Sequence, residues 1–483
     1  MKNKQKSLKL NFIMNAILTM SSFLFPLITF PYVSRVLLPA GTGRVSFANS
    51  VVTYFVMISQ LGIPTYGIRA CAVVRDDEEK LKKTVYELFI INVVMSIFAY
   101  VVFFIALASV PRLRADRNLF LITSTLIFFN TIGVEWLYKA LEQYTYITIR
   151  SIIFKFIALI AMFVLVRKVD DYVIYGGISI FAASASNVFN FIRLRKIIGT
   201  KKVSNLNFNK HFKPVFTFFI ISCATTIYTN LDNVMLMKDD VEVGYYNAAT
   251  KIKNILVSIV TSLGTVLMPR ASYYIQQEMW DEFYKLSKKA IKFVLLAAAS
   301  MMIYFMIFAR EGVLFLSGET FGGAVVPMII IMPTLLFIGL TNIMGIQMLI
   351  PMGNENAVMI STFAGAIVDL ILNAIFIPFL GSSGAAIGTL VAEFVVLIVQ
   401  MVYLKKDVKY LYSNQSYFKI IIALAISTVV ALAVKHFISG VFIKLVISAV
   451  LFFGVYVVML YIMKEEVVSE NLNKIFCKIR KKN

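Results

Sequence analysis

Apolar runs of about 20 residues, long enough for a helix to cross hydrocarbon at 1.5 Å per residue, recur along almost the whole chain. Roughly fourteen can be counted between residues 11 and 463, separated by short polar connections. The chain is 59% hydrophobic and 15% charged, with a mean hydropathy of +0.81. No single water-soluble core hides that much apolar surface, so the bilayer must be part of the solvent. The fold class expected is an all-α polytopic membrane protein with about 14 transmembrane helices.

The net charge of +21 raises the question of nucleic acid. The basic residues fall in short clusters between apolar spans, not on one face or tail, so no nucleic-acid partner is expected. With the amino terminus cytoplasmic, about 33 Lys and Arg fall in inside segments against about 11 outside. Both termini are therefore expected in the cytoplasm, with the positive-inside pattern of an inner membrane protein. The start, MKNKQKSLKL, is read as the flank of an uncleaved first span, and the basic tail after Lys464 as a topology anchor at anionic headgroups. Cys71, Cys223 and Cys477 have no paired or metal-ligand spacing. No G-x-x-x-x-G-K-[ST] phosphate cradle occurs, and no loop is long enough for a soluble catalytic module. The expectation is a non-enzyme without a cofactor or metal, except for H+ or Na+ as a coupling ion.

The segment from Phe30 to Arg69 reads as a tight transmembrane hairpin whose Pro/Gly/Arg connection puts Arg35 and Arg44 near the bilayer surface. Part of it recurs. Gly43, Ala48 and Arg69 have the same mutual spacing as Gly244, Ala249 and Arg270, with a Leu-Gly pair between them in each case, Leu61-Gly62 and Leu263-Gly264. A second echo pairs Gly133-Val134-Glu135-Trp136-Leu137 with Gly345-Ile346-Gln347-Met348-Leu349. Two parallel repeats suit a transporter whose lobes rock about a central site. The organisation expected is a six-helix lobe over 1–200, a basic cytoplasmic linker over 201–213, a second six-helix lobe over 214–406, and two further helices with the tail over 407–483.

The run FPYVSRVLLPAGTGRVSFANSVVTYFVMISQLGIPTYGIRA, the later GVEWLYKALEQYTYITIRSI, IYTNLDNVMLMKDDVEVGYYNAATKI and GAAIGTLVAE resemble the polysaccharide repeat-unit flippases. These form the O-antigen and capsule branch of the multidrug, oligosaccharidyl-lipid and polysaccharide exporters. The likeness runs along nearly the whole chain. One departure is Leu38, where the family pattern has glycine. The resemblance implies translocation of an undecaprenyl-pyrophosphate-linked oligosaccharide to the outer leaflet, driven by an ion gradient or the membrane potential. As partners it implies membrane lipids, a polysaccharide polymerase and a chain-length regulator.

A pyrophosphate needs Lys or Arg inside the membrane, and sugars need hydroxyl, amide and aromatic partners. The basic candidates are Arg35 near the outer end of span 1, Arg69 and Arg270 closing spans 2 and 8, Lys155 near the middle of span 5, and Lys251 two turns into span 8. Lys253 projects to the opposite side of its helix from Lys251. A carboxylate inside hydrocarbon persists only with a proton, a cation or a basic partner. Asp369 and Glu393 near the centres of spans 11 and 12, and Asp232 near the outer end of span 7, are therefore the ion-coupling candidates. Aligning the glycine echoes sets Lys155 within about two residues of the position equivalent to Asp369. That suggests opposite charges at matched depth, Lys155 taking phosphate and Asp369 pairing with it or with a cation.

Other residues read two ways. Trp136, Tyr138, Tyr144 and Tyr146 suit either sugar stacking or an interfacial aromatic belt. Pro26, Pro31, Pro327 and Pro333 suit kinks in spans. His211, in the central loop, and His436 carry no signal. Two competing functions stand beside the flippase: a cation-coupled multidrug exporter of the same fold, favouring acidic over basic cavity residues, and a membrane-embedded polymerase or acyltransferase, which generally needs a larger outer loop or a catalytic histidine.

Overall fold

The computed structural model describes residues 8–199, 205–412, 417–470 and 473. The amino-terminal MKNKQKS, part of the central linker at 200–204, Cys477 and almost all of the basic tail lie outside the described residues. Among the described residues every regular element is helical. Nine helices among the described residues are long and apolar enough to cross a membrane, ten if the bent pair Glu319–Ile331 and Thr334–Leu349 is one span. Two of the nine are broken internally and are long enough for two crossings each. Counting their arms separately, and adding Arg117–Gly133 and Asp240–Gln276, is how the expected number of about fourteen arises. Cα proximity divides the chain into one unit of residues 1–244 and another of residues 245–483.

The first unit is built around α1 (Leu8–Gln60), which is two helical arms joined at Leu38. Leu38 has φ 59° and ψ 176°, a conformation that disfavours a side chain. Pro39 follows with no amide hydrogen to continue the ladder. The expected hairpin connection is thus one residue, not a surface loop. Arg44 lies on the second arm and forms ion pairs with Asp116 and Asp240. Leu61 and Gly62, at φ 43° and 73°, end the arm and start α2 (Ile63–Val73). A Cβ on Gly62 would press to within 2.7 Å of the carbonyl oxygen of Val215.

Asp77 caps α3 (Glu78–Ser109) by accepting the Lys80 amide, and Glu78 and Glu79 suit the positive end of the helix dipole. After the short α4 (Pro111–Ala115), α5 (Arg117–Gly133) ends at Val134, φ 37°, where α6 (Glu135–Ala140) begins. The side chain of Asn187 fills the space over Gly133. Next come α7 (Tyr144–Leu165), α8 (Tyr172–Ile180), a π-helical turn at Phe181–Ala185 and α9 (Asn187–Ile198). α10 (Asn209–Met235) follows and contains His211 near its start.

Trp136 and Tyr138 correct the sequence reading. Both are buried, in the core that joins α2, α3, α6 and α9. Trp136 lies over Gly67, and the Tyr138 hydroxyl donates to the Asn190 carbonyl at 2.6 Å. Packing over Gly67 for Trp136, and core burial with the bond to Asn190 for Tyr138, explain these two aromatics. Tyr144 and Tyr146 are half-buried beside the same core.

α11 (Asp240–Gln276) runs across the division between the units. The second unit continues with α12 (Trp280–Ile307), α13 (Ala309–Ser317), α14 (Val325–Ile331) and α15 (Thr334–Thr341). Pro333 stands at the 47° bend after α14. A π-helical stretch, Asn342–Leu349, holds the second glycine echo, with Gln400 over Gly345. α16 (Glu355–Tyr403) is a second pair of arms, joined at Gly381, φ 53°. Close approach at Gly384 brings its backbone against that of Phe376. α17 (Lys405–Tyr412), α18 (Tyr417–Phe437) and α19 (Val441–Ile462) follow, and α12, α18 and α19 share a core around Tyr304 and Phe452.

Candidate functional site

Lys155 lies near the middle of α7 in the first unit. Its ammonium donates to Ser21 Oγ at 2.9 Å and Ser22 Oγ at 3.0 Å, so it turns toward α1. Arg35 is exposed, and its guanidinium donates to the Pro31 carbonyl one turn earlier. Arg69 does not end its helix. It lies within α2 and is exposed. Asp232 is buried near the end of α10, and its neighbour Asn233 donates to Ser50 Oγ at 2.9 Å. Lys155, Arg35 and Asp232 thus sit on three different helices.

The second unit holds the more concentrated polar arrangement. Ser361, Gly365, Asp369 and Asn373 recur every four residues on the first arm of α16, forming one stripe, and all four are buried. The second arm answers with Gly388, Thr389, Glu393 and Gln400, also buried. Gly388 is the point of contact: a Cβ there would collide with Asn373 Oδ1 and stand 3.0 Å from Asp369 Oδ1. Thr389 donates to the Ala385 carbonyl at 3.1 Å, so the 2.8 Å hydrogen bond to Tyr246 is donated by the tyrosine hydroxyl. Gln400 Nε2 donates to Ser361 Oγ at 3.2 Å, closing the stripe at its other end. Two carboxyls, Asp369 at 1% and Glu393 at 8% exposure, are thereby enclosed within one helical hairpin. Chemically, oxygen donors of this kind suit a proton or a hard cation more than a soft metal. Lys251 is half-buried on α11, whereas Arg270, well before the end of that helix, is exposed, with Nε donating to the Tyr274 hydroxyl at 2.9 Å.

Two clusters in the first unit escaped the sequence reading. Glu87, fully buried on α3, accepts from the Asn207 amide at 2.7 Å and from Lys210 Nζ at 2.8 Å. His211 Nε2 lies 2.9 Å from the same carboxylate, and His211 Nδ1 lies 2.9 Å from the Tyr66 hydroxyl. An Nε2–H tautomer satisfies both contacts, giving to Glu87 and accepting from Tyr66. Only the isolated acid in the apolar run ELFIINVVM hinted at this. In the second cluster Arg44 and Arg112 both pair with Asp116 and Asp240, and the Tyr172 hydroxyl donates to Asp116 at 3.1 Å. The four charges come from residues up to 196 apart, so no local pattern announced them.

Comparison with known proteins follows from this architecture. Residues 8–275 match the family described as "Polysaccharide biosynthesis protein". The chain is 23% identical over 414 residues to the "Putative O-antigen transporter" of Escherichia coli (strain K12), covering 84% of this chain and 99% of that one. A protein of the same name from Shigella dysenteriae is 22% identical over 387 residues, 79% of this chain and 96% of that one. Among solved structures, the lipid II flippase MurJ in an inward closed conformation superposes with a TM-score of 0.72 at 16% identity, covering 94% of this chain and all of that one. With the family match spanning more than half its length, in agreement with the resemblance read from the sequence, this multi-pass membrane protein belongs to the polysaccharide biosynthesis protein family.

Proposed function

We propose that the protein is a flippase for an undecaprenyl-pyrophosphate-linked oligosaccharide repeat unit. It carries that lipid from the inner to the outer leaflet of the bacterial cytoplasmic membrane by alternating access, coupled to an ion gradient. The observation that carries this reading is the match along 99% of a relative named as an O-antigen transporter. In this reading residues 1–200 and 214–406 act as two six-helix lobes joined by the linker at 201–213, residues 407–483 add two helices and a tail, and both termini are cytoplasmic. A polysaccharide polymerase and a chain-length regulator would act on the product.

Lys155 is the first phosphate ligand in this scheme. Ser21 and Ser22 solvate its ammonium without neutralising it, which leaves the charge available for an anionic headgroup. Lys251 serves the same purpose on α11, while Arg35, Arg69 and Arg270, all exposed, meet the headgroup as it enters or leaves. Asp369 and Glu393, within the α16 stripe, take the coupling H+ or Na+, with Asp232 a further acidic group on α10.

The test is a chromosomal deletion complemented with variants, followed by labelling of lipid-linked repeat units in each leaflet. Deletion should leave these units at the inner leaflet, and Lys155→Ala or Asp369→Asn should fail to restore export at wild-type expression. Normal glycan with altered drug sensitivity would instead select the multidrug exporter. Wild-type flux in both variants would remove Lys155 and Asp369 from the mechanism.

A further inference from the structure

Between α7 and α9 runs an open cleft of about 520 Å³, within the size range of small-molecule sites. Its walls include Ile149, Ile153, Phe154 and Phe189, and its polar end holds Arg150 and Arg193. Ile149, Ile153 and Phe189 are 50%, 51% and 49% exposed, so the cleft opens on the apolar outer surface of the unit. Arg193 places its guanidinium 4.2 Å from the centre of the Tyr146 ring, and no carboxylate among the described residues lies within ion-pair distance of it. Arg150 is 92% buried. Its Nη1 donates to the Ser186 carbonyl at 2.7 Å and to Asn187 Oδ1 at 3.2 Å, and Nη2 stands 4.0 Å from Glu135. Its Nε–H has no partner among the described residues, and neither has the buried hydroxyl of Thr145, which also lines the cleft.

We infer that this cleft is a binding site for one anionic glycerophospholipid of the surrounding bilayer. Two arginines beside unsatisfied donors at one end suit a phosphate, because guanidinium matches its oxygens in a fork and is weakly hydrated. The apolar floor beyond them, one helical turn from Arg150 to Ile153 and Phe154, suits an acyl chain leaving that headgroup. Basic pockets between transmembrane helices recognise anionic headgroups by this combination. The occupant inferred is a bilayer lipid and not the transported one, because the cleft opens beside exposed apolar residues, Ile149, Ile153 and Phe189, with its two arginines at the polar end. A lipid bound there would tie α7, which carries Lys155, to α9.

The full-length protein, purified in detergent, can be titrated with phosphatidylglycerol or phosphatidylcholine and examined by native mass spectrometry. The wild type should retain phosphatidylglycerol about tenfold more strongly than phosphatidylcholine, as expected where charge-assisted contacts decide. Arg193→Gln and the cleft-filling Ile153→Trp should each reduce the retained phosphatidylglycerol about fivefold. Arg195→Gln, an exposed arginine on the same helix that does not line the cleft, should leave it unchanged. Equal retention of both lipids by the wild type, or undiminished phosphatidylglycerol in both cleft variants, would overturn the assignment. So would displacement of phosphatidylglycerol by an equimolar amount of undecaprenyl pyrophosphate, which would give the cleft to the transported lipid.

Discussion

Gly43 and Gly244, the two glycines that mark the start of the internal repeat, pack against each other backbone to backbone. A Cβ on Gly43 would run into the carbonyl of Asp240 and come within 2.9 Å of the Gly244 amide nitrogen. One on Gly244 would run into the carbonyl of Pro39. The two positions are thus matched in sequence and reciprocal in space, and both lie on helices where glycine carries a propensity cost. Arg44, next to Gly43, pairs with Asp240 at 3.1 Å and so reinforces the same approach. In an exposed helix Gly→Ala gains about 1 kcal/mol. Here Gly43→Ala and Gly244→Ala should each cost about 1–3 kcal/mol by forcing the backbones apart. Thermal unfolding in detergent would show this as a lowered midpoint, and a raised midpoint would disprove the close approach.

Leu38 is the opposite case, a side chain where the backbone asks for none. Its φ of 59° and ψ of 176° fall in a region that costs a non-glycine residue on the order of 1–3 kcal/mol. Leu38→Gly should therefore stabilise the protein by about 1 kcal/mol, after the entropy that glycine loses on folding is set against the relief. Leu38→Ala, which keeps a Cβ and loses the packing, should not. The same measurement of unfolding midpoint separates the two, and equal shifts would show that strain at this residue is absent.

Much of this was legible because repeats and stripes are local or evenly spaced. Gly43 and Gly244 announced themselves by offset, and the missing glycine at Leu38 by comparison with the family pattern. Asp369 stood out as an acid inside an apolar span, although its surroundings did not. Tyr246 reaches Thr389 from 143 residues away, and Gly388 takes its meaning only from the return of the second arm of α16. Trp136 and Tyr138 misled because an aromatic at a span end has the same sequence signature whether it faces headgroups or a buried core. His211 was invisible for a related reason: its partners Glu87 and Tyr66 are 124 and 145 residues distant.

The Glu87 cluster makes its own prediction. Its carboxylate has three donors and almost no access to solvent, so removing the charge leaves Lys210 and the Asn207 amide poorly matched. Breaking a buried pair by changing one partner costs about 3–5 kcal/mol, and the partly exposed Lys210 puts Glu87→Gln at the lower end. Tyr66→Phe, which removes one hydrogen bond to His211, should cost about 1 kcal/mol. Chemical denaturation of the purified protein would order the variants, and a Tyr66→Phe loss exceeding that of Glu87→Gln would mean that the carboxylate is not the centre of the cluster.

A carboxylate outside the spans should set part of the response to acid. Asp77 is held below the usual carboxylate range, first by the Lys80 amide that it caps and then by the Lys80 ammonium. A carboxyl with a lower pKa folded than unfolded stabilises the fold above its unfolded pKa, near 4, and loses that contribution as pH falls through the folded value. The stabilisation is thus intact at pH 7 and begins to fade below about pH 5. Asp77→Asn keeps a side chain that can accept a hydrogen bond but removes the titration. The variant should unfold at a lower temperature than the wild type at pH 7, and the gap should narrow as the pH is lowered toward 3. A gap that stays constant across that range would show that the carboxylate is not held low by its cap.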